Sequence, residues 1–350
     1  MRGGMRRVIR RRGWLGALGL GLALWLDPVR AAAQPPAPRL EVHYIDVGQG
    51  DATLVRCPDN VGHMIIDSGE LNSKYPHSAD MFKAYINREF ATRPKRIDVV
   101  VASHPHSDHI GSLEWLLQNF TVGTYVDNGQ KGDTATWSRL DKLVRQRVKK
   151  GQLQYVNGKK KEFTEVDFCP GVKLEVVAPW AIKNLSDTND RSVLVRLTFL
   201  QKAFLWVGDA HKTAENLLLT KLSDEQRARL DVDVLKVGHH GSLTSTGAGF
   251  VNTVSPAVVV VSAGTREVGS NATFKHPRWT TMQTLLDYFK QVDKTDHLHP
   301  AADRIWVFET EWGQRQRRRG LCLTAKDGSI VITSDGNKID VAADACRPQQ

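Results

Sequence analysis

Residues Val99 to Leu113 constrain this chain more than any other stretch. An apolar run, Val99-Val100-Val101-Ala102, ends abruptly in His104, His106, Asp108 and His109. A run of that length and β-branched content reads as a buried strand. It delivers the chain into a cluster of metal-ligand residue types. Ile110, Leu113, Leu116 and Leu117 then open a helical apolar pattern. Alternation in an extended loop puts His104 and His106 on one side. Two imidazoles thus reach one ion, while Asp108 and His109 reach a neighbour. Imidazole and carboxylate suit zinc, manganese or iron, and a site with few protein ligands keeps a position open for water. A lone histidine here would be an ordinary solvated loop residue. Three His and one Asp in six residues, placed behind a buried-type strand, are a metal motif in its expected context.

The same build recurs along the chain. Strands are expected at Leu40–Val47, Ala52–Cys57 and His63–Asp67, the last closing on Asp67-Ser68-Gly69. A hairpin at Val193–Phe199 and Phe204–Val207 ends in Gly208-Asp209-Ala210. Val232–Val237 ends in Gly238-His239-His240-Gly241-Ser242, and Ala257–Val261 in Ser262-Ala263-Gly264. Helices are expected at Ala79–Phe90, Ile110–Phe120, Thr134–Lys150, Thr213–Leu222 and Thr280–Phe289, and the chain from Arg304 on is strand-rich. This is an α/β pattern. Two sheets packed face to face with helices outside would bring the polar strand ends to one rim, a four-layer αββα sandwich.

His-x-His-x-Asp-His after a strand resembles the signature of the metallo-β-lactamase superfamily, and the resemblance runs over roughly Leu40 to Phe289. It implies the superfamily's αββα sandwich and a site for two divalent ions, zinc or manganese. His104, His106, Asp108 and His109 match the first metal block one for one. Asp209 matches the carboxylate that bridges both metals, and His239 the last ligand of the second, with His240 as its competitor. Two further blocks, Asp46-Val47-Gly48-Gln49-Gly50-Asp51-Ala52 and Lys236-Val237-Gly238-His239-His240-Gly241-Ser242, resemble the metallo-β-lactamase-like domain of ComEC-type competence proteins. The chain departs from many superfamily members where a third histidine for the first metal is expected. Thr188, Asn189 and Asp190 stand there, and Asn189 with Ser192 fits the Asn-x-x-Ser pattern of ComEC-like chains. Weaker binding at the first site, or an oxygen ligand from Asn189 or Asp190, is the expectation.

The chemistry implied is hydrolysis by a hydroxide generated between two metals. Asp108, Asp209 and His240 are the catalytic candidates; Asn189, Ser242 and His276 are the substrate-side ones. The ComEC-like blocks imply a phosphodiesterase or nuclease, with DNA among the substrates. Lys159-Lys160-Lys161, the basic helix at Lys142–Lys150, and Arg315 with Arg317, Arg318 and Arg319 could attend a polyanion, though charge runs are usually solvated surface. The alternatives are a β-lactam or lactone hydrolase, against which the missing histidine counts, and a non-catalytic metal-binding module. No stable protein partner is expected. The chain lacks the long apolar segments of a DNA-import channel and is not expected to be a complete competence transporter.

Charge and cysteines bear on where the chain works. Arg6, Arg7, Arg10, Arg11 and Arg12 precede an apolar run at Trp14–Leu26 and a small-residue site, Ala31-Ala32-Ala33. Residues 1–33 read as a secretory signal peptide, so a periplasmic or secreted enzyme is expected, with an uncleaved anchor as the alternative and the only membrane contact. That leader carries seven arginines and one aspartate, so removing it takes the formal net charge from +10 to +4 and weakens a nucleic-acid argument built on charge alone. Residues 34–39 form a Pro-rich linker, 40–300 the metallo-β-lactamase-like domain, and 301–350 a β-rich extension packed on it. Cys57, Cys169, Cys322 and Cys346 are an even count with no Cys-x-x-Cys spacing. Disulfides are expected, Cys322 with Cys346 and Cys57 with Cys169.

Overall fold

The computed structural model describes residues 38–71, 77–158, 163–177, 183–266, 270–292, 304–316 and 320–342. The expected signal peptide, Lys159–Lys161, Arg317–Arg319 and Cys346 lie outside the described residues. Two large sheets face each other. The first orders its strands β17-β16-β1-β2-β3-β4-β5-β6, where β1 is Leu40–Tyr44, β2 Ala52–Arg56, β3 His63–Ser68, β4 Arg96–Val101, β5 Thr121–Asp127, β6 Gln154–Asn157, β16 Ile330–Ser334 and β17 Ile339–Val341. The second orders β15-β12-β11-β10-β9-β8-β7, where β7 is Thr164–Cys169, β8 Val172–Val177, β9 Leu194–Phe199, β10 Lys202–Trp206, β11 Val234–Lys236, β12 Val258–Val261 and β15 Leu321–Leu323. A separate hairpin joins β13 (Arg304–Phe308) and β14 (Trp312–Gln316).

Period-two alternation of apolar residues builds the layers. Val99 and Val101 of β4 enter the core between the sheets, while Val100 enters the core under the outer helices. Val258 and Val260 of β12 likewise face the inter-sheet core, and Val259 and Val261 the opposite one. Helices His77–Glu89, Leu113–Asn119 and Ala135–Lys149 cover the first sheet; Lys212–Lys221, Ala248–Val254 and Trp279–Val292 cover the second. The architecture is the αββα sandwich. Cys57, at the end of β2, is bonded to Cys169, at the end of β7, with Cα atoms 6.6 Å apart. That bond ties the two sheets at one end.

The parallel strands position the site. Pairs β3–β4, β4–β5, β10–β11 and β11–β12 are parallel. Their carboxyl ends, and the loops leaving them, collect at one rim, where open α/β sheets bind their ligands. The helix expected over Ile110–Phe120 is broken into Ser107–Ile110 and Leu113–Asn119. The break is tertiary in origin: the Gly111 N–H donates to Gly69 O (3.0 Å) and the Ser112 N–H to Ser68 Oγ (2.9 Å). A Cβ on Gly111 would sit 2.3 Å from the Leu71 nitrogen, so only glycine lets the chain pass there.

Candidate metal centre

Four side chains converge at that rim. His109 Nε2 lies 3.2 Å from Asp209 Oδ2, and His240 Nε2 lies 3.5 Å from the same oxygen and 3.2 Å from Asp108 Oδ2. One donor atom from each of Asp108, His109, Asp209 and His240 lies within 4.8 Å of all the others. His109, Asp209 and His240 are at most 2% exposed. Yet His109 Nε2, His240 Nε2 and Asp209 Oδ1 have no hydrogen-bond partner in the protein. Buried polar atoms are almost always satisfied, so these two unpartnered Nε2 atoms, converging on the Asp108 and Asp209 carboxylates, fit the ligand set of a divalent cation.

The outer shell fixes their orientation. His109 Nδ1 is 2.8 Å from Asp67 Oδ2, and Asp67 is itself held by the Ser103 backbone N–H (2.8 Å) and Ser103 Oγ–H (2.7 Å). His240 Nδ1 donates to the Ser262 carbonyl at 3.0 Å. With their Nδ1 protons committed, both imidazoles turn Nε2 toward the centre. Behind His240, Asp51 is paired with Lys236, which is 2% exposed. Burial alone would raise the Asp209 carboxyl, but the imidazoles of His109, His240 and His239 outweigh it and hold it well below the usual range. Conversely, the surrounding carboxylates overcome burial and raise His109 and His240 well above an ordinary histidine. The cluster's field therefore favours a positive charge at its centre.

Local backbone serves the same end. His239 and His240 both take left-handed φ, +46° and +53°, rare for residues with a Cβ and concentrated at functional sites. Gly50 (φ +125°) lets Asp51 N reach Asp108 O at 3.1 Å; a Cβ there would lie 2.5 Å from that oxygen.

The expected residues divide. Asp108, His109 and Asp209 come together, but the histidine that joins them is His240 and not His239. All of these rings have an engaged Nδ1, that of His239 by His211 Nε2 (3.0 Å) and Thr244 Oγ1 (3.1 Å); the difference is at Nε2, which for His240 lies 3.2 Å from Asp108 and 3.5 Å from Asp209 and for His239 stays 3.8 Å from Asp209. His104 and His106 are adjacent, Nε2 to Nδ1 3.0 Å, with His104 Nε2 3.8 Å from Asp209 Oδ2; neither belongs to a group of three or more ligand atoms among the described residues. Asn189, Ser242 and His276 all line the cavity over the centre, about 570 Å³, together with His106, Asp108, Asp209, His239, His240 and Arg278. Asn189 Oδ1 is buried without a partner, while Asp190 Oδ1 accepts the His211 backbone N–H at 3.0 Å. Of the two oxygens considered for the missing histidine, Asn189's is the one on the cavity. Burial pushes His276 down to about 3 and His239 to about 4, so both are neutral imidazoles.

Sequence reasoning missed His211, Asp67 as the partner of His109, and the Asp51–Lys236 pair. His211 lies two residues past Asp209, which was the available signal. Asp51 and Lys236 stand in the two quoted blocks, but nothing local shows that they meet.

The chain is 27% identical over 271 residues to ComE operon protein 3 of Bacillus subtilis (strain 168), covering 73% of this chain and 32% of that protein. It is 28% identical over 265 residues to Competence protein ComA of Neisseria gonorrhoeae, covering 74% and 32%. The chain thus matches about a third of the length of these relatives. Among solved structures, the metallo-beta-lactamase fold protein YhfI from Bacillus subtilis aligns at 12% identity and a TM-score of 0.42, covering 69% of this chain and 91% of that one. Residues 45–264, well over half of the chain, match the family model of the metallo-beta-lactamase superfamily, and the chain belongs to that superfamily of metal-dependent hydrolases.

Proposed function

We propose that this chain is an exported phosphodiesterase, with single-stranded DNA among its substrates, working with two divalent ions, zinc or manganese. The observation that carries the reading is the set of orphaned, convergent atoms on His109, Asp209 and His240 beneath an open cavity whose wall includes Arg278. Asp108, His109, Asp209 and His240 would hold one ion; His104 and His106, with Asp209 shared and Asn189 Oδ1 at the cavity, would hold a second more weakly. When bound, such ions supply Lewis acidity and bring the pKa of water toward neutrality.

The chain's own groups do the rest. Asp67 and Ser262 keep protons on the Nδ1 atoms of His109 and His240, so neither ring can turn away. Arg278 offers a fixed cation to an anionic substrate, and phosphodiester oxygens suit it. Ser242 Oγ and the neutral His276 offer hydrogen bonds to substrate oxygens. His239, held by His211 and Thr244, shapes the wall beside Asp209. Residues 1–33 support export. Similarity to ComE operon protein 3 and Competence protein ComA, and not to a curated β-lactamase at that level, supports the phosphodiester over a β-lactam.

Metal analysis of the purified mature protein should find zinc or manganese at one to two ions per chain. Loaded protein should hydrolyse bis-p-nitrophenyl phosphate and short single-stranded oligonucleotides and leave nitrocefin nearly untouched. Rapid nitrocefin turnover with inert phosphodiesters would replace this reading with the lactam hydrolase. Metal without turnover of either would favour a binding module.

A further inference from the structure

A second cavity, of about 370 Å³, lies beside the metal cavity, and His276 lines both. Its walls carry Trp306, Trp312, Arg266 and Lys326 above the buried Ile305. The Arg266 guanidinium lies 3.7 Å from the centroid of the Trp306 ring. Trp312 is braced edge-on by Phe308, centroids 5.6 Å apart at 78°. Two polar atoms of this wall are buried with no hydrogen-bond partner: Trp312 Nε1 and His276 Nδ1. His276 itself is 5% exposed. Nothing in the metal chemistry uses the tryptophans.

We propose that this cavity is a nucleobase subsite, holding the base of a nucleotide whose phosphodiester lies over the metal cluster on the other side of His276. The proposal rests on the phosphodiesterase reading and names the substrate class of that site. Each feature matches a base. Indole faces and a guanidinium plane are the surfaces on which bases stack. The indole N–H of Trp312 is a donor only, and bases present carbonyl and ring-nitrogen acceptors at their edges. Arg266 suits the flanking phosphate. A β-lactam or a small lactone has no aromatic plane in its reacting core that needs such a wall. Stacking of one base gives about five- to 150-fold in binding, equivalent to about 1–3 kcal/mol.

The test compares an oligothymidylate with an oligonucleotide of equal length made of abasic tetrahydrofuran residues, using the metal-loaded mature chain. The base-bearing strand should show a KM at least about fivefold lower. Trp312→Ala and Arg266→Ala should each shrink that ratio, and Trp312→Phe should restore part of it. Thymidine, which has no phosphate, should quench the tryptophan fluorescence of the wild type and do so less in Trp306→Ala. Equal KM values for the two strands with no quenching by thymidine overturn the subsite while leaving the phosphodiesterase standing. If no strand is cleaved, the phosphodiesterase reading fails alone. Anisotropy of labelled strands then decides the subsite: tighter binding of the base-bearing strand upholds it, and equal binding sinks it. Should Trp312→Ala fail to fold by circular dichroism, the exposed Arg266 carries the mutational arm.

Discussion

Two adjacent histidines at one turn differ at Nε2. Both have an anchored Nδ1, His240 on a carbonyl and His239 on a neighbouring imidazole and a hydroxyl, but His240 Nε2 lies 3.2 Å and 3.5 Å from two carboxylates while His239 Nε2 lies 3.8 Å from one. A ligand needs its lone pair aimed and its other nitrogen anchored, and His240 meets both conditions. His240→Ala should therefore cost most of the bound metal, and His239→Ala should keep it, as read by metal content after dialysis; the reverse order would reject the assignment. Asp67→Asn should weaken metal affinity about 10- to 100-fold without altering the far-ultraviolet circular dichroism, because it removes the anionic anchor of His109. An unchanged affinity would mean that packing alone orients the ring. The histidine block was legible from residues because its members are contiguous and follow a strand. His239 and His240 could not be told apart, since left-handed φ at both is a property of the folded turn. Asp67 went unread because its role depends on a contact 42 positions away.

The helix Lys212–Lys221 follows Asp209 and buries Glu215, which is 2% exposed. Its carboxylate accepts the backbone N–H groups of Thr246 (2.6 Å) and Gly247 (2.8 Å). That fastens the loop carrying His239 and His240 to the helix. Burial raises Glu215 from 4.5 to about 7, against those two hydrogen bonds. A raised carboxyl stabilises the fold below its unfolded value and loses that contribution as pH climbs through the folded one. Between pH 4.5 and about 7 the loss is on the order of 3 kcal/mol. Urea midpoints of the wild type should fall across that window relative to Glu215→Gln, whose curve should be flatter. Parallel curves would show that Glu215 titrates normally. Strands and major helices were legible at this scale because their periodicity is local. The break at Gly111 was not, since it is imposed by hydrogen bonds from Gly69 and Ser68.

Across the whole molecule, the last strands enter both sheets. β15 pairs in parallel with β12, and β16 pairs antiparallel with β1, Leu40 opposite Ser334. Sequence patterns marked these strands but not their partners, because pairing between Val259 and Leu321 or between Leu40 and Ser334 leaves no local trace. The consequence is energetic. Leu321, Leu323, Ile330, Ile332 and Val341 are at most 2% exposed. At about 2 kcal/mol for each buried side chain, they contribute about 10 kcal/mol. Domain stabilities are about 5–15 kcal/mol in total, so this contribution is as large as the margin itself. Removal would also strip β1 and β12 of a hydrogen-bonded neighbour and leave two open edges. A chain ending at residue 319 should accordingly lack a cooperative urea transition, bind the dye ANS and hold no stoichiometric metal, even though every proposed ligand is still present. A cooperative transition with full metal content in that truncation would mean that the sandwich closes without its last strands, and that the segment serves something other than the core.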